Sequence, residues 1–217
     1  MISYTEENYL KVLFALTQEN GVATANALSK ELDIKMPTVN SMMKRLADKG
    51  LVVYESYKPI RLTESGQKEA ALVIRKHRLT EMYLVEKMGF GWEEVHAIAE
   101  QIEHIQSPAF FDKMDELLGY PHFDPHGSPI PDPRGTLPVT DYKKLSQCRA
   151  GEVVIFKAVH NSSVDFLKFL TEKQLTLGCE IAILEVERYD GSLTVLVNGV
   201  NKLTLSKFIC DQLLVSY

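Results

Sequence analysis

The stretch Arg75 to His104, RKHRLTEMYLVEKMGFGWEEVHAIAEQIEH, holds three of the six histidines, His77, His96 and His104, with the carboxylates Glu81, Glu100 and Glu103. On a helix turning about 100° per residue, His96, Glu100, Glu103 and His104 fall within an arc of about 80 to 100°. His77 and Glu81, four residues apart, share a face of the preceding helix. Two helices that each present imidazole beside carboxylate supply the donor types that hold a divalent cation. Pattern alone leaves open a solvated face, in which such pairs give local support and nothing more. Asp124 and His126 form a further carboxylate and imidazole pair, which a free linker would leave in solvent.

Several elements must position these groups. Residues 5 to 18 place Tyr9, Leu10, Leu13, Phe14 and Leu16 at helical spacing, with Thr5 as the expected N-cap. A short helix from about Thr24 to Leu32 precedes a turn, and a second helix starts at Pro37, where a missing N–H costs nothing, and ends near Gly50. Leu51 to Tyr54 and Ile60 to Thr63 read as the strands of a wing. A long helix runs from Thr63 and Glu64 through His77 and Glu81 to about Met88, a second from Trp92 to Gln106, and a third from Ala109 to Leu118. Their surplus apolar surface suits a homodimer interface, with a well-packed monomer as the alternative.

Gly119 to Pro138 contains six of the nine prolines, which predicts a linker or a long ordered loop. Beyond it, Val153 to Ala158, Glu180 to Val186, Ser192 to Val197, Lys202 to Leu205 and Leu213 to Ser216 read as short strands, with one helix at about Asp165 to Lys173. The expected architecture is a winged helix-turn-helix (residues 1–63), a helical metal-binding and dimerisation domain (64–118), a proline-rich linker (119–140) and a small all-β, SH3-like barrel (141–217).

The net charge of −5 is unevenly spread. Residues 35 to 61 carry six basic and two acidic residues, whereas 64 to 217 carry 16 basic and 22 acidic. A basic patch on an acidic body suits a protein that meets phosphate at one end. In the helix from Pro37, the exposed Thr38, Asn40 and Ser41 suit base edges, and Lys44 and Arg45, with Lys58 of the wing, suit phosphates of double-stranded DNA. An ordinary three-helix unit with a charged face is the alternative. Cys148, Cys179 and Cys210 form no CxxC pair and read as buried thiols. No leader or membrane-spanning run is visible, so a cytoplasmic location is expected.

RKHRLTE at 75–81, EVHAIAEQIEH at 94–104, the TEENYL start, MPTV at 36–39 and DPHGSPIP at 124–131 together resemble the diphtheria toxin repressor family of metal-dependent regulators, across essentially the whole chain. Glu100 stands where iron-responsive members carry cysteine, so the resemblance is closer to the manganese-responsive branch. It implies a repressor of metal-uptake genes with a C-terminal SH3-like (FeoA-like) domain. It also implies a primary metal site at Asn8, His77, Glu100, Glu103 and His104. A second site would draw on Glu81 and His96, or on Glu81, Asp124, His126 and a barrel acid such as Asp165. Two departures stand out: Asn8 replaces a carboxylate or methionine, and Lys11 replaces a carboxylate found in some manganese regulators. Carboxylate, amide and imidazole without thiolate suit Mn²⁺, with Fe²⁺ as the alternative, better than structural zinc.

The expected mechanism has metal tying the first helix, through Asn8, to Glu100 and Glu103, which otherwise repel each other. The two winged domains of a dimer would then match half-sites about 34 Å apart. A carboxylate-bridged metalloenzyme would need a Glu-x-x-His motif on each of two helices, and these helices do not carry such a pair. A winged-helix regulator that senses no metal is the remaining alternative.

Overall fold

The computed structural model describes residues 2–217, apart from the side chains of Glu19 and Asn20. The chain forms two compact units: one of residues up to Thr80 with Ala99–His122 and Ile130–Pro138, the other of Glu81–Ile98, Phe123–Pro129 and Val139–Tyr217.

In the first unit, α1 (Tyr4–Asn20) begins two residues earlier than Thr5 would place it. Ser3 is the N-cap: its hydroxyl accepts from the Glu6 amide while the Glu6 carboxylate accepts from the Ser3 amide, a reciprocal box that Thr5 has no partner to make. Helix α2 (Ala25–Glu31) is capped by Thr24, and α3 (Met36–Asp48) follows a short turn with Pro37 in its first turn. Val39, Met43 and Leu46 lie on one face of α3 and are fully buried with Tyr9, Leu10, Leu13 and Leu28. Each such side chain contributes about 1.5 to 3 kcal/mol by burial.

The wing pairs β1 (Val52–Val53) with β2 (Arg61–Leu62) in antiparallel register, shorter than the expected four-residue strands, because Tyr54 leaves the ladder to reach α3. Helix α4 (Glu64–Met88) is packed closely enough on the wing that a Cβ at Gly66 would lie 1.9 Å from the Leu51 carbonyl oxygen.

Helix α5 (His96–Ile102) is shorter than the expected span from Trp92 to Gln106. At its start the Glu94 carboxylate accepts from the Gly91 amide and holds a turn. At its end Glu103 and His104 leave the helix for side-chain partners, before Ser107 adopts the extended backbone that Pro108 imposes at the head of α6 (Pro108–Leu118).

The second unit is an antiparallel six-stranded sheet. Its strands are β3 (Lys143–Lys144), β4 (Val153–Val159), β5 (Glu180–Val186), β6 (Leu193–Val197), β7 (Asn201–Leu205) and β8 (Leu213–Ser216), in the order β3-β8-β4-β5-β6-β7. Alternation in β6 buries Leu193, Val195 and Val197. Register shifts at Phe156/Ala158 and Ile183/Glu185 curl the sheet around that core. Helix α7 (Val164–Glu172) contributes Phe166, Leu167 and Leu170 to the core, and α8 (Lys207–Cys210) precedes β8. The proline-rich stretch is an ordered loop, in which Asp124 N bonds Ser128 O and Asp132 N bonds Thr136 O.

Candidate metal centre

In the second unit, Glu81 of α4, Asp124 and His126 are all buried and bring one ligand atom each to within 4.8 Å of one another. His126 donates from Nε2 to the carbonyl oxygen of Trp92 at 2.7 Å, so its Nδ1, 3.6 Å from Glu81 Oε2, is the nitrogen aimed at the carboxylates. A backbone partner on one imidazole nitrogen is the usual device for fixing the ligating face of the other. The second oxygen of Glu81 lies 3.1 Å from His96 Nδ1. Asp124 Oδ1 accepts from the amides of His126 and Ser128, at 2.8 and 2.9 Å.

The loop is seated by backbone contact. Val159 N donates to His126 O at 3.0 Å, and a Cβ at Gly127 (φ +84°) would lie 2.0 Å from the Lys157 carbonyl oxygen. The Trp92 indole stacks on His126 at a ring separation of 6.0 Å and donates to Thr171 Oγ1 of α7. Burial works against a proton on His126, but the Glu81 and Asp124 carboxylates and the Trp92 carbonyl outweigh it and push the pKa up. Carboxylates that favour a proton here also favour a divalent cation, and the two compete. The buried N and O donors, without thiolate, fit an ion of the Mn²⁺ or Fe²⁺ class.

A second cluster lies in the first unit. The Lys11 ammonium of α1 bonds Glu100 Oε1 at 2.9 Å and Glu103 Oε1 at 2.7 Å. Glu103 is fully buried, and its other oxygen meets His77 Nδ1 at 2.5 Å. His104 Nδ1 meets Glu7 Oε2 at 2.5 Å, and its Nε2, buried without a hydrogen bond, lies 3.2 Å from Glu103 Oε1. Burial would raise the Glu103 pKa, but His77 and Lys11 bring it below the usual carboxylate value. Burial would lower that of Lys11, but Glu103 and Glu100 raise it. The Lys11 ammonium thus sits between the Glu100 and Glu103 carboxylates and offsets part of their negative charge.

The exposed surface of α3 and the wing is mixed. Pro37, Thr38, Ser41 and Lys44 are exposed, and Lys58 sits on the wing, 2.5 Å from Glu55. Asn40 Oδ1 accepts from the Tyr54 hydroxyl at 3.0 Å. Arg45 and Lys49 converge on Glu6 of α1, at 2.9 and 2.8 Å. Burial raises the Glu6 pKa, but the Lys49 and Ser3 hydrogen bonds outweigh it and hold it at about 2.

Comparison with known proteins places these features. Residues 1–60 match the iron dependent repressor N-terminal DNA binding domain, 63–132 the iron dependent repressor metal binding and dimerisation domain, and 143–217 the FeoA domain. The chain belongs to the iron-dependent repressor family. The Mycobacterium tuberculosis iron-dependent repressor IdeR is 36% identical over 127 residues, 58% of this chain and 55% of that protein, so the match spans about half of its length. The diphtheria toxin repressor of Corynebacterium diphtheriae is 28% identical over 205 residues, 90% of this chain and 89% of that one. Among solved structures, a manganese-dependent transcriptional repressor in complex with manganese superposes with a TM-score of 0.87 at 28% identity, covering 97% of this chain and 98% of that one. Members of the iron-dependent repressor family are DNA-binding regulators, which settles the choice between a regulator and an enzyme.

Against this family background, the residues singled out by sequence separate into distinct groups. Glu81, Asp124 and His126 come together, with His96 beside Glu81. His77, Glu100, Glu103 and His104 lie in the Lys11 cluster. Asp165 is exposed in the first turn of α7 and is absent from the buried group. Glu7, next to Asn8, reaches His104 from α1. Glu100 and Glu103 share an ammonium rather than repelling each other, so α1 is tied to them by Lys11 and not through Asn8. Trp92, Gly127 and Glu7 were not singled out as site residues. Only the spacing of Glu7 from the α1 start, and a glycine directly after His126, hint at them in the sequence.

Among the described residues, no helix is long and apolar enough to cross a membrane.

Proposed function

We propose that the chain is a transcriptional repressor whose affinity for a double-stranded operator is set by a divalent metal ion, Mn²⁺ ahead of Fe²⁺, and which acts as a cytoplasmic homodimer on metal-uptake genes. The observation that carries this reading is the buried Glu81–Asp124–His126 group in a chain that also bears a winged helix-turn-helix. The ion would supply the charge that balances the Glu81 and Asp124 carboxylates. The chain's own residues do the positioning: Trp92 fixes the tautomer of His126, Ser128 holds Asp124, and the Lys157 carbonyl backs Gly127. Oxygen donors favour Mn²⁺, and the likeness to a manganese-dependent repressor supports the same preference. A homodimer is supported by the matched dimerisation domain and by Phe110 and Leu117, exposed on α6.

The test is DNA affinity for a fragment upstream of the chain's own gene, titrated with Mn²⁺, Fe²⁺ and Zn²⁺. A coupling of about 1 to 3 kcal/mol tightens binding ~5- to 150-fold. Glu81→Gln and His126→Ala are expected to lose that gain. Equal affinity with Mn²⁺ and with chelator would overturn the reading.

A further inference from the structure

We infer that the Lys11 ammonium is the resident cation of the Glu100–Glu103 pair, so that this cluster holds α1 without a metal ion and the chain takes one divalent ion per protomer, at Glu81, Asp124 and His126. Three observations lead there. The Lys11 Nζ bonds one oxygen of each carboxylate, at 2.9 and 2.7 Å, and its side chain is largely buried against them. Asn8, the α1 residue nearest in sequence that could have added a donor, is neutral, whereas Lys11 brings a positive charge to both Glu100 and Glu103. His104 Nε2 and Glu103 Oε1, 3.2 Å apart, have the spacing of two neighbouring ligands of one ion, about 2.1 Å from each. Lys11 Nζ occupies the side of Glu103 Oε1 from which such an ion would have to be held jointly with Glu100.

A divalent ion there would face an ammonium that the fold keeps within reach. A tethered cation has the advantage of high effective concentration over a free one. Removing the ammonium while keeping both carboxylates and both imidazoles restores a donor set of the kind that binds Mn²⁺. Lys11 is thus a residue that determines metal stoichiometry, and α1 is tethered in the metal-free protein as in the loaded one. This inference rests on the proposed metal dependence only for the ion it assigns to His126, and the Lys11 part stands separately.

The experiment counts Mn²⁺ bound per full-length protomer, by equilibrium dialysis with elemental analysis, in wild type, Lys11→Met, Lys11→Gln, His126→Ala and the Lys11→Met/His126→Ala double variant. Folding is checked for each by circular dichroism. The expected counts are one for wild type, two for each Lys11 variant, none for His126→Ala and one for the double variant. Two ions in wild type would overturn the inference, as would a count of one in both folded Lys11 variants. If wild type binds none while the Lys11 variants each gain one, the metal reading of His126 fails and the role of Lys11 is upheld.

Discussion

His126 gives its Nε2 proton to the carbonyl oxygen of Trp92 at 2.7 Å while the Trp92 ring stacks on its imidazole. The chain has one tryptophan, so its emission reports on this imidazole alone. Mn²⁺ added to the protein is expected to quench Trp92 fluorescence saturably, with the same midpoint as metal uptake, and His126→Ala is expected to abolish the response. A quench that persists in His126→Ala would place the ion elsewhere.

Gly127→Ala is expected to destabilise the second unit by about 1 to 3 kcal/mol, since its backbone is left-handed and the new Cβ would collide with the Lys157 carbonyl. Because the same loop carries Asp124 and His126, Mn²⁺ affinity should fall along with the melting temperature. Calorimetry with and without Mn²⁺ reads both. A variant of unchanged stability would show that the loop moves away at no cost.

Lys44 is exposed on α3 and Lys58 is exposed on the wing in a solvent-facing pair with Glu55, whereas Arg45 is paired with the buried Glu6. Lys44→Ala and Lys58→Ala should each weaken operator binding at every sequence and reduce the salt slope by about 1. Arg45→Ala should change the slope less and thermal stability more. Fluorescence anisotropy at several salt concentrations separates the two behaviours, and equal slopes for all three would contradict the pairing.

Glu6 gives the first unit an acid sensitivity of defined sign. Its folded pKa, about 2, lies below the ordinary 4.5, so its contribution to stability is complete above pH 4.5 and is lost as the pH falls from there towards 2. Glu6→Gln should lower stability at pH 7 and flatten that acid limb in urea titrations. A limb of unchanged steepness would assign the acid sensitivity to other carboxylates.

Much of this organisation is legible in the residues. Period 3.6 locates α1, α3 and α4, because Leu10, Leu13, Val39 and Met43 each need a buried face, and period 2 locates β6. The helix expected to carry His96, Glu100, Glu103 and His104 on one face ends at Ile102, where tertiary partners take Glu103 and His104. A common face then ceases to mean a common site: His96 meets Glu81, and His104 meets Glu7. Lys11 showed as a departure in charge, but its reach to Glu100 and Glu103, residues 89 and 92 positions away, depends on packing that no local pattern encodes. Arg45 and Asn40 suit DNA by type and position, and their pairing with Glu6 and Tyr54 is invisible to local pattern because those partners lie on other elements.

The three thiols, Cys148, Cys179 and Cys210, are buried, and all belong to the all-β portion of the second unit. Burial pushes each thiol up, Cys210 to about 12, so little reactive thiolate exists while the sheet is closed. Alkylation by a small electrophile must therefore wait for the sheet to open, and its rate becomes a clock for the breathing of that one unit while the winged portion contributes no background.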